Sequence, residues 1–196
     1  MSEYVSGKIR VGLIYGSTRE GRVCDKIVGW AGQSARAWGG FEVDVIDPLE
    51  LDLPSRHEEK DGPAVRALQQ RLGDADAFVV VTPEYNHSYP AALKFLIGSA
   101  YQEWQAKPVA FVSYGGISGG LRAVEHLRHV FAELHAVGIR DAVSFLNVWE
   151  CMDESTGELR APKAAERSMG RVLSRLKWWA EALRQARRTS PYQEVA

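Results

Sequence analysis

Five short apolar segments, separated by stretches with helical spacing, constrain the fold of this chain more than any other feature of its sequence. Their apolar residues stand at consecutive positions, whereas strands exposed on one face alternate apolar and polar residues. Consecutive apolar positions are typical of strands that are buried on both faces of a parallel sheet. The predicted strands span residues 8–15, 41–46, 77–81, 108–114 and 142–148. The fifth segment is the weakest match to the pattern.

A helix-forming stretch follows each predicted strand. Gly39 and Gly40 are typical of the end of a helix, and Pro90 is typical of a first helical turn. The predicted helices span residues 24–38, 64–72, 91–100, 119–135 and 163–187. Strand and helix alternating five times favour right-handed crossovers in an open α/β sheet with helices on both faces. The strand order that we expect for this five-stranded, doubly wound parallel sheet is 2-1-3-4-5.

The length of the chain, 196 residues, fits one domain. We therefore expect residues 1–196 to form a single domain, with a core at about residues 8–150 and a C-terminal helix at about residues 160–188.

Charge, hydropathy and cysteine usage exclude several classes of protein. The chain has 24 Lys and Arg against 25 Asp and Glu, a formal net charge of −1, whereas dedicated nucleic-acid-binding proteins are usually strongly basic. No apolar stretch approaches the roughly 20 residues of a membrane-spanning helix, and the first residues lack the layout of a signal peptide. The chain has only two cysteines, Cys24 and Cys151, which are far apart and in no CxxC pattern, so neither a zinc knuckle nor a disulfide framework is available. We expect a cytoplasmic protein that binds neither nucleic acid nor membranes.

Ligands of doubly wound sheets bind beyond the carboxyl ends of the strands, at the point where the winding reverses. The segments that follow the first, third and fourth predicted strands are therefore the candidate site. They are residues 16–22, 82–90 and 113–120.

The first segment predicts a phosphate site. It leads from a strand into a helix and contains the hydroxyl groups of Ser17 and Thr18 and the guanidinium groups of Arg19 and Arg22. Helix amino termini favour anions, and arginine adds charge-assisted hydrogen bonds. Neither a Walker motif nor GxGxxG is present. The alternative is an ordinary helix start with solvated arginines.

The other two segments predict a site for a planar ring. Pro83 and Pro90 restrict the backbone around Glu84, Tyr85 and Asn86, so that amides and an aromatic ring are held beside a flat ligand. The third segment combines two serines with closely spaced glycines, which allow the backbone to approach a ring edge. Its candidate residues are Ser113, Gly115, Gly116 and Ser118. The alternatives are rigid turns without a ligand.

On these motifs the sequence resembles the NADPH-dependent FMN reductase family, whose members carry GSxR after the first strand and PEYN after the third. The motifs stand here at residues 16–19 and 83–86, and residues 113–116 occupy the family's glycine-rich position. The resemblance implies a flavodoxin-like fold, FMN phosphate at Ser17, Thr18 and Arg19, ring contacts from residues 83–86 and 113–118, and a homodimer or homotetramer. The chain departs from the family pattern at Arg22, Cys24 and residues 93–98.

The function that this resemblance implies is an FMN-dependent NAD(P)H oxidoreductase. Hydride passes from NADPH or NADH to FMN and then to a small acceptor, such as free flavin, a quinone or an azo compound, in a ping-pong cycle. The flavin supplies the chemistry, so no catalytic acid, base or nucleophile is required. A flavin-dependent monooxygenase that receives reduced flavin is a possible partner.

Three other hypotheses follow from the sequence. Residues 116–120 match the GxSxG motif of serine hydrolases. Those enzymes carry the serine, the acid and the histidine in that order along the chain, and no histidine follows His135 to serve as the base. An electron-transfer or regulatory FMN-binding protein is the main alternative, although electron carriers are commonly acidic. His126 and His129 share one helix face without a third ligand at metal-site spacing, so we expect solvated histidines.

Overall fold

A single five-stranded, all-parallel sheet forms the centre of the molecule in the computed structural model, which describes residues 7–57 and 61–195. The strand order is β2-β1-β3-β4-β5, which confirms the predicted order. The strands are β1 Ile9–Tyr15, β2 Phe41–Ile46, β3 Ala77–Pro83, β4 Pro108–Tyr114 and β5 Val137–Phe145. All residues of β3 and β4 are buried, as expected for the central strands of a sheet covered on both faces.

Helices connect the strands and cover both faces of the sheet. They are α1 Cys24–Trp38, α2 Pro63–Asp74, α3 Ala91–Gly98, α4 Leu121–Glu133 and α5 Lys163–Thr189. The predicted bounds of α1 are confirmed, and those of the other helices differ from the structure by one to two residues at an end. Short 3-10 helices lie at Gln102–Trp104, Val148–Cys151 and Tyr192–Glu194. Within the described residues, no helix is both long and apolar enough to cross a membrane.

The predicted bounds of the fifth strand, 142–148, were wrong. The strand begins at Val137 and ends at Phe145. As the edge strand of the sheet, β5 pairs only with β4 among the described strands, and its burial alternates over its first residues. That alternation hides it from a search for continuous apolar positions. At its other end, Asn147 adopts a left-handed conformation, with φ of 41°, and the chain leaves the sheet.

Two apolar layers enclose the sheet. On one face, α1 and α5 pack on β1, β3, β4 and β5 through residues such as Ile27, Val172 and Leu176. On the other face, α2, α3 and α4 cover a layer that includes Phe78 and the fully buried Trp104. The indole Nε1 of Trp104 donates a hydrogen bond to the carbonyl oxygen of Ile97 at 3.1 Å, so this large side chain is buried without an unpaired polar atom.

The strand register places the ends of the central strands side by side. Tyr15 of β1 is opposite Val81 of β3, and Pro83 of β3 is opposite Tyr114 of β4. The chain leaves β1 toward β2 on one side, whereas β3 and β4 lie on the other side. The winding therefore reverses at β1, and the segments after β1, β3 and β4 emerge at the same edge of the sheet.

Gly16, directly after β1, packs closely against β3, and a substitution there tests this packing. A Cβ atom at position 16 would lie 2.5 Å from the carbonyl oxygen of Val81 and 2.9 Å from Cα of Thr82. We expect Gly16→Ala to lower the free energy of unfolding by about 1–3 kcal/mol through overpacking. Urea denaturation followed by circular dichroism measures this change.

The matched control is Gly29→Ala, because Gly29 is exposed within α1 and a Cβ atom there meets nothing within 4 Å. We expect this substitution to raise the free energy of unfolding by about 0.5–1 kcal/mol, since alanine is the better helix former. Equal stabilities for the two variants would contradict the packing described at Gly16.

Lys107, directly before β4, is a buried base. Its burial leads us to expect a pH dependence of stability. Its Nζ donates hydrogen bonds to the carbonyl oxygens of Leu72 at 2.7 Å and Gly73 at 2.8 Å. Burial, together with the positive charge of Arg187, lowers the pKa of Lys107 from 10.5 to about 8. The unfolded chain therefore binds more protons than the folded chain between about pH 8 and pH 10.5.

Because the folded pKa is the lower one, the cost of burying charged Lys107 is present below about pH 8 and is relieved as the pH rises toward 10.5. We expect the stability of the wild type relative to Lys107→Met to rise by roughly 1–3 kcal/mol between pH 7.5 and pH 10. Urea denaturation of both proteins at each pH measures the difference, in which other titrating groups cancel. A difference that stays constant with pH would refute the shifted pKa.

Candidate functional site

The segment after β1 supplies a buried hydroxyl, an exposed guanidinium and a helix amino terminus. Ser17 is fully buried, Thr18 is half-buried and Arg19 is exposed. The amide of Arg19 donates a hydrogen bond to Oγ of Ser17 at 3.3 Å, which tightens the turn. Val23 occupies the N-cap of α1, and no side chain in the described part of the chain caps this helix. Asp25 stands in the first turn but accepts a hydrogen bond from Arg22, so the first-turn amides have no side-chain cap.

Tyr85 joins the second segment to the first. Its hydroxyl group and Oγ of Ser17 are hydrogen-bonded at 2.8 Å. The guanidinium carbon of Arg19 lies 4.5 Å from the centre of the Tyr85 ring, within the range of a cation–π interaction. The predicted phosphate segment and the predicted ring segment are thus in direct contact through these side chains.

The second segment is a tight hairpin. The amide of Tyr85 donates to the carbonyl oxygen of Ser88 at 2.8 Å, and the amide of Ser88 donates back at 3.0 Å. Between them, Asn86 and His87 have φ values of 49° and 69°. Two central residues in the left-handed region are typical of a type I′ turn, in which asparagine is favoured. The turn exposes Asn86 and His87 at the edge of the site and holds Tyr85 at its base.

Glu84 ties the second segment to the third. Its side chain is only 8% exposed and makes an ion pair with Arg122, at 2.8 Å between Oε1 and Nη1. Its other oxygen accepts hydrogen bonds from Oγ of Ser118 at 2.8 Å and from the amide of Arg122 at 3.1 Å. Burial alone would raise the pKa of Glu84, but the donors on Arg122 and Ser118 outweigh it, and the pKa lies below its ordinary value. Glu84 is therefore a charged carboxylate that fixes two loops.

The third segment is a glycine turn held from beneath. Gly119 and Gly120 have φ values of 58° and 84°, and a Cβ atom at position 119 would lie 2.2 Å from Oγ of Ser144. The hydroxyl groups of Ser113 and Ser144 both donate to the carbonyl oxygen of Gly119 at 2.8 Å. Only glycine combines this conformation with this approach. Gly115 is buried, and Gly116 is half-buried next to it.

Apolar side chains form an exposed rim beside the glycine turn. Ile117 is 85% exposed and Trp149 is 62% exposed. The ring of Trp149 lies near Gly116, because a Cβ atom at position 116 would be 3.9 Å from Cζ2 of Trp149. Leu146 is also exposed and borders Gly119. We call Ile117, Leu146 and Trp149 the apolar rim.

Two groups that sequence reasoning did not single out organise the site. Asp47, the first residue after β2, makes a buried ion pair with Arg22. Arg122, in the first turn of α4, holds Glu84. The position of Asp47 directly after a predicted strand was the available signal, since that position lies at the same sheet edge. No pattern in the sequence pairs Arg122 with Glu84, which is 38 residues away.

Arg22, the last residue of the first segment, has a side chain that is only 8% exposed, and its charge is paired. Its guanidinium donates to both carboxylate oxygens of Asp47, to Asp25 at 2.9 Å and to the carbonyl oxygen of Ser17 at 2.6 Å. It also lies 4.3 Å from the centre of the Tyr15 ring. A direct contact between Arg22 and a phosphate stays a prediction.

Other residues from the sequence analysis have structural partners. Burial raises the pKa of the Cys24 thiol to about 11, so it is protonated at neutral pH and is a packing residue. His126 is hydrogen-bonded to Ser88, at 3.0 Å between Nδ1 and Oγ. Residues 7–57 and 61–195 contain no group of three or more His, Cys, Asp or Glu side chains placed to hold a metal ion.

The donor set at this edge fits FMN. A phosphate is matched by hydroxyl groups, an exposed guanidinium and a helix amino terminus that no described side chain caps. A flat ring is matched by the half-buried Tyr85, by the glycine turn and by the apolar rim next to it.

Comparisons with known proteins agree with this geometry. The model of the NADPH-dependent FMN reductase family matches residues 9–150. An NAD(P)H-dependent FMN reductase of Schizosaccharomyces pombe is 35% identical over 128 residues, which cover 60% of this chain and 63% of that protein. A quinone reductase of Escherichia coli is 32% identical over 167 residues, which cover 79% of this chain and 87% of that protein.

Solved structures share the fold. FerB, a flavoenzyme NAD(P)H:acceptor oxidoreductase from Paracoccus denitrificans, superposes with a TM-score of 0.73 at 22% identity, covering 89% of this chain and 98% of that one. A flavodoxin from Streptococcus pneumoniae superposes with a TM-score of 0.57 at 14% identity, covering 86% and 98%. The fold is thus flavodoxin-like, as the sequence predicts.

The hydrogen bonds and the ion pair of the Glu84 carboxylate should contribute measurably to the stability of the fold. We expect Glu84→Gln to lower the free energy of unfolding by about 1–3 kcal/mol at pH 7, because a neutral amide replaces a carboxylate with charged donors. Since the folded pKa of Glu84 is lowered, its contribution is present above the ordinary carboxyl pKa and is lost as the pH falls through the folded value. The difference between the two proteins, measured by urea denaturation, should shrink below about pH 4.

The matched control is Glu125→Gln, on α4. Its side chain is 69% exposed in an ion pair with Arg128 at 3.4 Å. We expect a change below about 0.5 kcal/mol, as for most exposed ion pairs. If Glu84→Gln were as small in effect as this control, the carboxylate would not hold the two loops together.

Proposed function

This chain belongs to the NADPH-dependent FMN reductase family, and we propose on that basis that it is an FMN-dependent NAD(P)H oxidoreductase. The observation that carries the proposal is the meeting of the family motifs in space. Ser17 and Arg19 of the first motif contact Tyr85 of the second. The proposed domain is the whole of residues 1–196, with its cofactor site at the carboxyl edge of the sheet.

The proposed phosphate site is the turn between β1 and α1. Ser17, Thr18 and Arg19 supply hydroxyl, amide and guanidinium donors above the amino terminus of α1. Arg22 supports this turn from beneath through the carbonyl oxygen of Ser17. The cation–π contact between Arg19 and Tyr85 keeps the exposed guanidinium at the boundary between the phosphate site and the ring site.

The proposed ring site lies between the hairpin and the glycine turn. Its residues come from the two segments that Glu84 joins, and they are Pro83, Glu84, Tyr85, Asn86, Ser113, Gly115, Gly116 and Ser118. The hydroxyl groups of Ser113 and Ser118 are already bonded inside the loops. We therefore expect these residues to act on the ring through backbone groups that the loops hold in place.

When bound, FMN supplies hydride acceptance and donation, so that the protein needs to provide only binding and orientation. The apolar rim beside the glycine turn supports an apolar, planar second substrate. We propose that NAD(P)H and a small acceptor use this surface in turn, which is a ping-pong order. Relatives named as quinone reductases favour a quinone as the acceptor, with free flavin and azo compounds as the other candidates.

We also propose a homodimer or homotetramer, because the Trp178 side chain on α5 is 63% exposed and offers apolar surface that a neighbouring subunit could cover. Both cysteines are free thiols, which supports a cytoplasmic location. A flavin-dependent monooxygenase that receives reduced flavin is a proposed partner if free flavin is the acceptor.

The experiment that tests the function combines binding and turnover. We expect the purified protein to bind FMN, to be reduced by NAD(P)H under anaerobic conditions, and to oxidise NAD(P)H steadily when a benzoquinone or free FMN is added. Parallel double-reciprocal lines at several acceptor concentrations would support the ping-pong order. Bound FMN that NAD(P)H fails to reduce would favour an electron-transfer or regulatory protein, and a protein that ignores FMN would end the proposal.

Arg19 provides a specific variant. We expect Arg19→Ala to weaken FMN binding at least tenfold and to leave riboflavin binding within about twofold, because only FMN carries the phosphate. Quenching of flavin fluorescence measures both dissociation constants. Arg36→Ala is the control, since Arg36 is an exposed arginine in the last turn of α1, away from the carboxyl edge. Equal losses for FMN and riboflavin would contradict the phosphate site.

A further inference from the structure

The ion pair between Arg22 and Asp47 is a group that the proposed reaction does not use directly. The two side chains are 8% and 7% exposed, so the pair lies inside the protein beneath the turn between β1 and α1. The two guanidinium nitrogens face the two carboxylate oxygens, one of them at 2.8 Å, which is the bidentate arrangement of a strong pair. Removing both charges from water costs free energy. We therefore ask what this buried pair does for the turn above it.

Asp47 is the fixed end of the pair. It follows directly after β2, the neighbour of β1 in the sheet, and its Oδ1 also accepts a hydrogen bond from the amide of Leu49 at 3.0 Å. Burial alone would raise the pKa of Asp47, but the hydrogen bonds from Arg22 and Leu49 outweigh it, and the pKa lies below its ordinary value. The carboxylate is therefore charged at neutral pH and is held on the sheet.

Arg22 is the link from that fixed point to the turn. The same nitrogen that donates to Asp47 also donates to the carbonyl oxygen of Ser17 at 2.6 Å. The hydroxyl group of Ser17 is hydrogen-bonded to the hydroxyl group of Tyr85, and its Oγ also accepts a hydrogen bond from the amide of Arg19. The orientation of the peptide group after Ser17 thus depends on a guanidinium that Asp47 holds.

Electrostatics argue against Arg22 as the main attraction for a phosphate. Asp47 and Asp25 both contact its guanidinium, so the three side chains together carry a net negative charge. A carbonyl oxygen that faced the phosphate would repel it, and Arg22 keeps the carbonyl of Ser17 occupied. The exposed guanidinium of Arg19 is left as the positive group on the outer side of the turn.

We propose that Asp47 is a positioning residue for FMN: it acts through Arg22 to hold the carbonyl oxygen of Ser17 away from the phosphate, so that hydroxyl and amide donors face the ligand. This inference rests on the proposed function, since it assigns a residue to the phosphate end of the same cofactor site.

The test compares FMN with riboflavin, which differ only in the phosphate. We expect Asp47→Asn to raise the dissociation constant of FMN about tenfold or more and that of riboflavin less than threefold, measured by quenching of flavin fluorescence. A general loss of structure would weaken both flavins alike, so the ratio of the two constants separates positioning from folding. Circular dichroism and urea denaturation check that the variant is folded.

The matched control is Asp44→Asn. Asp44 lies three positions before Asp47, in β2, and forms a similar two-bond pair with Arg71, at 2.7 and 3.0 Å, but on the exposed surface. We expect the ratio of FMN to riboflavin affinity to be the same as in the wild type.

Arg22→Lys is the second variant, in case Asp47→Asn does not fold. A lysine keeps the charge beside Asp47 but lacks the planar fork that reaches the carboxylate and the carbonyl of Ser17 together. We expect the same selective loss of FMN affinity. An unchanged ratio in the folded variants would overturn the inference, and so would a higher FMN affinity in Asp47→Asn, which would mean that Asp47 competes with the phosphate for Arg22. Wild-type protein that binds neither flavin would instead refute the proposed function.

Discussion

Parallel pairing of all five strands is the constraint on which the rest of the structure depends. Parallel strands need a crossover connection, which contains a helix in each case here, and all the strands therefore end at the same edge. The reversal of winding at β1 then separates the crossovers and leaves the turns after β1, β3 and β4 next to one another. The candidate site is a consequence of this topology before any side chain is considered.

Polar groups at that edge are satisfied mainly by one another. Ser17 is bonded to Tyr85, Glu84 to Ser118 and Arg122, and Ser113 and Ser144 to the backbone of Gly119. Each bond joins two segments at this edge of the sheet or fixes a loop on a strand. Buried carboxylates are costly unless they are paired, and Glu84 and Asp47 both have arginine partners. The result is a set of loops that their own hydrogen bonds hold in place, and such pre-organisation lowers the entropic cost of recognition.

Charged groups and apolar surface lie at different ends of the candidate site, as the two ends of FMN require. Charge and hydroxyl groups are concentrated at the turn before α1, whereas Ile117, Leu146 and Trp149 expose apolar surface beside the glycine turn. Tyr85 stands between the two regions and contacts both Ser17 and Arg19. A phosphate at one end and a flat ring at the other would each meet a matching environment.

The sequence by itself determined the strand order, the bounds of α1 and the three segments that meet at the carboxyl edge of the sheet, because continuous apolar runs and turn residues are local signals. It misplaced β5, whose edge position makes its burial alternate. It also missed Asp47 and Arg122 as partners of Arg22 and Glu84. Those pairs join residues that are 25 and 38 positions apart, and no local pattern encodes which charge meets which. Only the tertiary structure decided which charges pair. A buried charge needs a partner, and these side chains become buried only when the strands come together.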